Sequence, residues 1–185
     1  NDNAMTINPY EFAIDAGYSR MLSERFSMAV NMRFIFSDIR YDYTAESSAG
    51  KAFAADIAMY RLGYFMMGSR ECSFAWGLNI NNIGSKISYG GDDNAEFIPT
   101  NLRLGLNMTV PFNEYNKFSV AVDANKLLVP TYPKQDTENG ETDNDYTDRV
   151  QKDYYDVSPI AGIFKSFYDA PNGFKEEMQE IQWSV

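Results

Sequence analysis

The chain holds no histidine and a single cysteine, Cys72, among its 185 residues. The commonest general base and the commonest metal ligand are therefore missing, and one thiol makes neither an internal disulfide nor a cysteine metal cluster. What remains capable of chemistry is a row of charged and amide side chains: Asp15, Arg33, Asp56, Arg103, Asp123 and Asn125. Such groups either form a charged passage that selects a solute or pair with one another and solvate a closed interior. No Gly-rich phosphate cradle, no metal-ligand spacing and no nucleophile beside a base accompanies them. The expectation is a non-enzyme without cofactors.

These residues sit in segments that alternate with period two, the side-chain repeat of a strand. Tyr10, Phe12, Ile14, Ala16 and Tyr18 oppose Glu11, Ala13, Asp15, Gly17 and Ser19. The next segment repeats the pattern with Phe26, Met28, Val30, Met32, Phe34 and Phe36, and only Ile35 breaks its polar side. Leu102 to Val110 and Phe118 to Ala124 alternate in the same way. Two segments change parity midway. Ala52 to Met67 passes from Phe53, Ala55, Ile57 and Met59 to Leu62, Tyr64 and Met66, and leaves the facing of Arg61 open; Ser73 to Tyr89 passes from Ile80 to Ile83. A β-bulge within Asn81-Asn82-Ile83-Gly84 accounts for the second, and ends projecting beyond the membrane are the other reading.

Short connections near Met21–Glu24, Gly68–Cys72 and Pro111–Asn116 alternate with longer ones at 44–50, 90–99 and 130–173. Short turns on one side and long loops on the other mark bacterial outer-membrane barrels, with the long loops outside the cell. Cys72 falls in one of the short turns. Aromatic residues are 15% of the chain, and Tyr18, Phe26, Tyr64, Phe65, Phe74, Trp76, Phe112, Tyr115 and Phe118 gather near the short turns, as an interfacial girdle does. Mean hydropathy is −0.42, and no apolar run reaches the roughly 18 residues of a spanning helix. A net charge of −10 argues against nucleic acid and anionic headgroups as partners.

The fold class expected is thus all-β: a transmembrane antiparallel β-barrel, here a fragment of six to seven strands with a helical extracellular loop. Residues 1–185 read as part of one barrel domain, with strands over about 9–129, the long loop over about 130–175 and a further strand from about 180. Both ends read as cut, since the first residues carry no signal peptide. Seven strands are too few to close a bacterial barrel, whose smallest form has about eight.

The last long loop differs from the rest. From Lys134 to Asp156 acids outnumber bases eight to three, which predicts an extended, solvated stretch. Ser158-Pro159 then reads as N-cap and first helical residue, with Ile160, Ile163, Phe164 and Phe167 at helical spacing, and Phe174, Met178 and Ile181 fit a second short helix. An apolar patch of Ile160, Ile163, Phe164, Phe167 and Phe174, rimmed by Tyr132, Tyr154, Tyr155 and Tyr168, suits a partner interface; the same residues also suit a cap over the barrel mouth.

Several stretches resemble the PorV family: Gly77 to Tyr89, Phe97 to Gly105, and Asp123 through Asn125-Lys126-Leu127-Leu128-Val129-Pro130-Thr131-Tyr132-Pro133. Gly162 to Phe167, Asp169-Ala170-Pro171, Gly173 to Glu177 and Ile181 to Val185 are similar to that family's helical loop. The resemblance implies a barrel of FadL-like type in the cell outer membrane, surrounded by outer-membrane lipid. It further implies a component of the type IX secretion system of Bacteroidetes. Such a component binds secreted cargo proteins with C-terminal signal domains at the translocon and shuttles them to the cell-surface attachment complex. The alternative is a FadL-like channel for hydrophobic compounds.

Overall fold

A computed structural model describes residues 8–39, 48–90, 95–136, 140–170 and 173–185. Residues 44–47 and 91–94 of two expected loops, Glu138 of the acidic stretch and Pro171 lie outside them. Seven strands form one antiparallel sheet in sequence order: β1 Tyr10–Ser23, β2 Phe26–Asp38, β3 Gly50–Met67, β4 Arg70–Gly84, β5 Asn101–Pro111, β6 Lys117–Leu127 and β7 Gln182–Ser184.

Directly opposed residues share a face, so the pairing tests the alternation. Phe12 meets Phe36 and Ile14 meets Phe34; Val30 meets Ile57; Leu78 meets Met59 on one side and Leu104 on the other; Leu104 meets Ala124. One apolar face therefore runs through β1–β6. Its side chains stay exposed, with Ile14 at 63%, Met32 at 68% and Phe53 at 66%, and an exposed apolar face of this extent suits hydrocarbon rather than water. No helix among the described residues is long and apolar enough to cross a membrane.

The parity change in β4 is a bulge. Ile57 opposes Ile80 and Ala55 opposes Ile83, so Asn81 and Asn82 together face Asp56. Asn82 has φ 57°, a left-handed conformation that Asn adopts more readily than most residues. The change in β3 has another cause. Its pairing with β2 runs from Gly50 to Arg61 without a shift, so Leu62, Tyr64 and Met66 turn onto the polar face near the short turn. Arg61 opposes Phe26 and Trp76 and stands on the apolar face. Cys72 is corrected from turn to strand: β4 begins at Arg70, which already pairs with Met67, and Cys72 lies opposite Phe65 with no exposed surface.

Ile35, the exception on the polar face of β2, has a packing reason. The connection from β4 to β5 folds back over that face at the long-loop end, where Ile98, Ala52 and Ala54 form a buried cluster with Ile35 and Ile87 against it. Tyr89 Oη donates to Ser37 Oγ at 2.8 Å, and Ile87 bridges to Glu96.

The excursion between β6 and β7 holds α1 Asp143–Val150, which continues as a π-helical turn Gln151–Tyr155, then α2 Pro159–Lys165 and α3 Phe174–Gln179. From Asp143 to Tyr155 the acidic stretch is thus helical and not extended. Its charges suit a helix start: Thr142 Oγ1 accepts from Asp145 N, and Asp143 and Asp145 lie in the first turn, at the positive end of the helix dipole. Arg149 in the last turn reaches back to Glu141 with both arms, at 2.7 and 2.9 Å. Ser158 caps α2 by accepting from Ala161 N, with Pro159 at the first helical position, in agreement with the sequence pattern.

Candidate functional site

The polar face gathers the six charged and amide residues into two groups. Arg33 joins β1, β2, β3 and β4: Nε donates to Asp15 Oδ1 at 2.7 Å, Nη2 lies 3.4 Å from Asp56 Oδ2, and Nη1 donates to Asn82 Oδ1. Asn31 donates to both Asp15 and Asp56. Asp56 also accepts the Asn82 backbone N–H at 2.7 Å, which binds the bulge to β3. Asn82 then holds the incoming connection: its Nδ2 donates to Pro99 O, and Thr100 Oγ1 donates to its carbonyl at 2.7 Å. The second group is smaller. Arg103 lies 3.6 Å from Asp123, and Asn125 accepts from Asn101 at 2.7 Å. Gly105 makes room there, since a Cβ on it would stand 2.6 Å from Asp123 Oδ1.

At the long-loop end the excursion is tied to the sheet at three points. The first is Lys86, just beyond β4. Its Nζ sits 4.0 Å from the centroid of the Phe97 ring and donates to the carbonyls of Tyr154 and Tyr155 at 3.0 and 2.7 Å. An ammonium there satisfies carbonyls at the end of the π-helical turn. Burial lowers the Lys86 pKa, with Glu96 and Asp156 opposing the shift. Glu96 accepts from both Tyr154 and Tyr155 hydroxyls. Burial, then the same acid, raises the Tyr154 pKa; burial, then Tyr132 and Glu96, pushes Tyr155 up to about 12. Tyr132 packs edge-on against both rings, at 4.9 and 6.4 Å.

The second tie is Gly162 of α2. A Cβ there would lie 2.7 Å from Phe97 and 3.0 Å from Pro130, so the helix approaches as closely as it does only because the side chain is absent. The third tie is ionic. Lys126 Nζ donates to Glu177 at 2.8 Å and to Glu180 at 2.6 Å, and Glu177 also accepts the Ala170 N–H. Burial raises the Glu177 pKa, but these bonds outweigh it and leave the carboxyl below its ordinary value. Lys126 opposes Leu102 on the apolar face of β5–β6, so α3 lies over that face.

The aromatic and apolar residues expected at an interface divide accordingly. Tyr154 is buried, and Tyr132 and Tyr155 share its cluster. Gly162 and Ser166 form the docked side of α2, whereas Ile160, Phe164, Phe167 and Tyr168 are exposed and Ile163 is half-buried. Phe174 opens α3; its side chain lies outside the described residues. The roles of Lys86, Glu96 and Lys126 are not legible in the sequence, and Asn82 is expected in a bulge but not in the Arg33 network. A lysine in phase with Phe118, Val120, Val122 and Ala124 is the one signal that pointed to a partner: a charge on an apolar face must be neutralised.

Residues 1–134 match the family model described as Type IX secretion system protein PorV. The match spans β1–β6 and the connection carrying Lys86 and Phe97, and it ends before α1. No curated protein matches the chain.

Proposed function

We propose, because the chain belongs to the PorV family of type IX secretion system proteins, that it captures secreted cargo and hands it on from within the outer membrane. In this reading it binds proteins bearing a C-terminal secretion signal at the translocon and shuttles them to the surface attachment complex. The observation that carries the reading is the side of α2 left over after docking. Gly162 is spent on Phe97 and Pro130 and Ser166 is buried, while Ile160 and Phe164 of α2 and Tyr168 just beyond it stand at 55%, 65% and 74% exposure, on a segment between the lysine cage at the π-helical turn and the ion pair on α3. Apolar side chains on a firmly anchored surface element suit a partner that desolvates them.

The polar face weighs against the channel alternative. A conduit for hydrophobic compounds needs an apolar path, and here Asp15, Asn31, Arg33, Asp56, Arg103, Asp123 and Asn125 occupy the side away from the apolar face. Deleting the gene and measuring surface delivery of secreted proteins tests the proposal. Loss of delivery, restored by the wild-type gene, is expected; unchanged delivery rejects it.

A further inference from the structure

The connection from β4 to β5 is held from two sides. Against the polar face of the sheet, Ile87 and Ile98 pack with Ala52, Ala54 and Ile35, and Tyr89 reaches Ser37, whose hydroxyl donates in turn to Glu11 of β1. Hydrogen bonds fasten both ends: Ser85 N donates to Phe53 O and Ser48 N to Tyr89 O, each at 2.8 Å, and Thr100 Oγ1 donates to Asn82 O. The strands are cleared to receive it. A Cβ on Gly50 would stand 2.7 Å from Tyr89 and 2.8 Å from Ile87, and one on Gly84 would stand 2.8 Å from Ile98. The chain neighbours of Ile87 and Ile98 meet the excursion instead. Lys86 donates to the Tyr154 and Tyr155 carbonyls, Phe97 meets the Tyr154 ring edge-on at 5.2 Å, and Glu96 accepts from both tyrosine hydroxyls.

We propose that this connection is the constriction of the barrel's outer mouth, and that the excursion clamps it there. With the apolar face toward lipid, the polar face lines the interior. The described parts of the connection, 85–90 and 95–100, cross that face from β4 back to β2 at the long-loop end. They set Ile87 and Ile98 on the outer side of the charged group formed by Asp15, Arg33 and Asp56. Apolar side chains that narrow a polar passage exclude water, and ions with it. Holding such a segment in one conformation costs chain entropy at every residue, and a floor of glycine and alanine offsets little of it. The bonds from Lys86, Glu96 and Phe97 to the excursion supply the remaining hold.

The inference rests on the membrane placement of the sheet and is independent of cargo binding. Its test is the unitary conductance of the full-length protein in planar bilayers bathed in potassium chloride. Gly50→Leu fills the seat of Ile87 and Tyr89; Lys86→Ala with Glu96→Ala releases the clamp and leaves the net charge unchanged. Each is expected to raise conductance at least threefold over wild type, or to give resolved openings where wild type gives none. Ile160→Ser with Phe164→Ser, on the exposed side of α2, should conduct as wild type does. Wild-type conductance in both the seat and the clamp variants overturns the proposal. A raised conductance in the seat variant alone overturns the clamp. Should Gly50→Leu fail to give a heat-modifiable band, the Lys86 and Glu96 variant decides. A wild-type protein missing from the outer-membrane fraction overturns the placement itself, and lost cargo delivery with unchanged conductance separates the cargo reading from this one.

Discussion

Lys126 and Glu177, 51 residues apart in the chain, meet at 2.8 Å with each side chain only 8% exposed. The lysine belongs to a strand and the glutamate to α3, so this contact fixes α3 against the sheet. Removing one member of a buried pair leaves the other charge uncompensated, at a cost of about 3–5 kcal/mol. Lys126→Met is therefore expected to release α3 while β1–β4 keep their pairing. Hydrogen exchange of the full-length protein reads this as lost protection over 174–181; full protection there would show that apolar contacts alone hold the helix.

Gly162→Val places a branched side chain where even a Cβ lies 2.7 Å from Phe97. Overpacking of this kind costs about 1–3 kcal/mol, which should lift α2 and speed tryptic cleavage after Lys165. Ala161→Val, at an exposed neighbouring position, is the control and should cleave as the wild type does. Equal rates for the two variants would mean that α2 is not seated on Phe97.

Asn82 separates backbone strain from hydrogen bonding. Gly in its place keeps φ near 57° without strain and loses the contacts to Arg33 and Pro99. Ala loses the same contacts and adds roughly 1–2 kcal/mol for a left-handed non-glycine residue. The temperature at which the barrel loses its heat-modifiable band should fall in the order wild type, Asn82→Gly, Asn82→Ala. A variant with Ala as stable as one with Gly would remove the bulge geometry as the reason for Asn.

Glu141 supplies a pH dependence. The Arg149 hydrogen bonds, with the Asp136 N–H, hold its carboxyl at about 2, below its ordinary 4.5. A depressed carboxyl pKa stabilises the folded form above the unfolded value and loses that contribution as pH falls through the folded one. Protection of α1 should thus be flat above about pH 4.5 and decline toward pH 2. Glu141→Gln should flatten the profile at a lower level. Asp169, raised by burial, acts in the opposite direction, so Asp169→Asn should steepen the acid decline. Profiles that coincide for wild type and Glu141→Gln would exclude this pair as the acid-sensitive element.

Ile160→Ser with Phe164→Ser removes the two exposed apolar side chains of α2 without touching Gly162, Ser166 or Phe167. Cargo or translocon capture is expected to drop at least tenfold, with the heat-modifiable band intact. Undiminished capture would assign the partner surface elsewhere.

Alternation along the chain was enough to place Asp15, Arg33, Asp56, Arg103, Asp123 and Asn125 on one face, because a strand's side-chain period of two leaves no other arrangement. The parity change likewise pointed to a bulge within Asn81–Gly84 or to a projecting strand end, between which the register decided, and Ser158-Pro159 located the start of α2, since caps are local chemistry. Partnership is different. Period two says which face a residue takes and nothing about which neighbour it meets, so the linking of Arg33 to Asp15, Asp56 and Asn82 emerged only from strand register. The acidic stretch shows the same limit: repulsion between like charges predicts extension, but the Thr142 cap, the helix dipole and the Glu141–Arg149 pair depend on how the segment is turned. Ile35 breaks the pattern along the chain, Tyr154 suits a wet rim, and Lys126 has no partner in view. Ile98, Glu96 and Glu177 answer them from distant segments, and contacts between segments far apart in sequence are decided by the three-dimensional packing of the sheet, its inner connection and its helices.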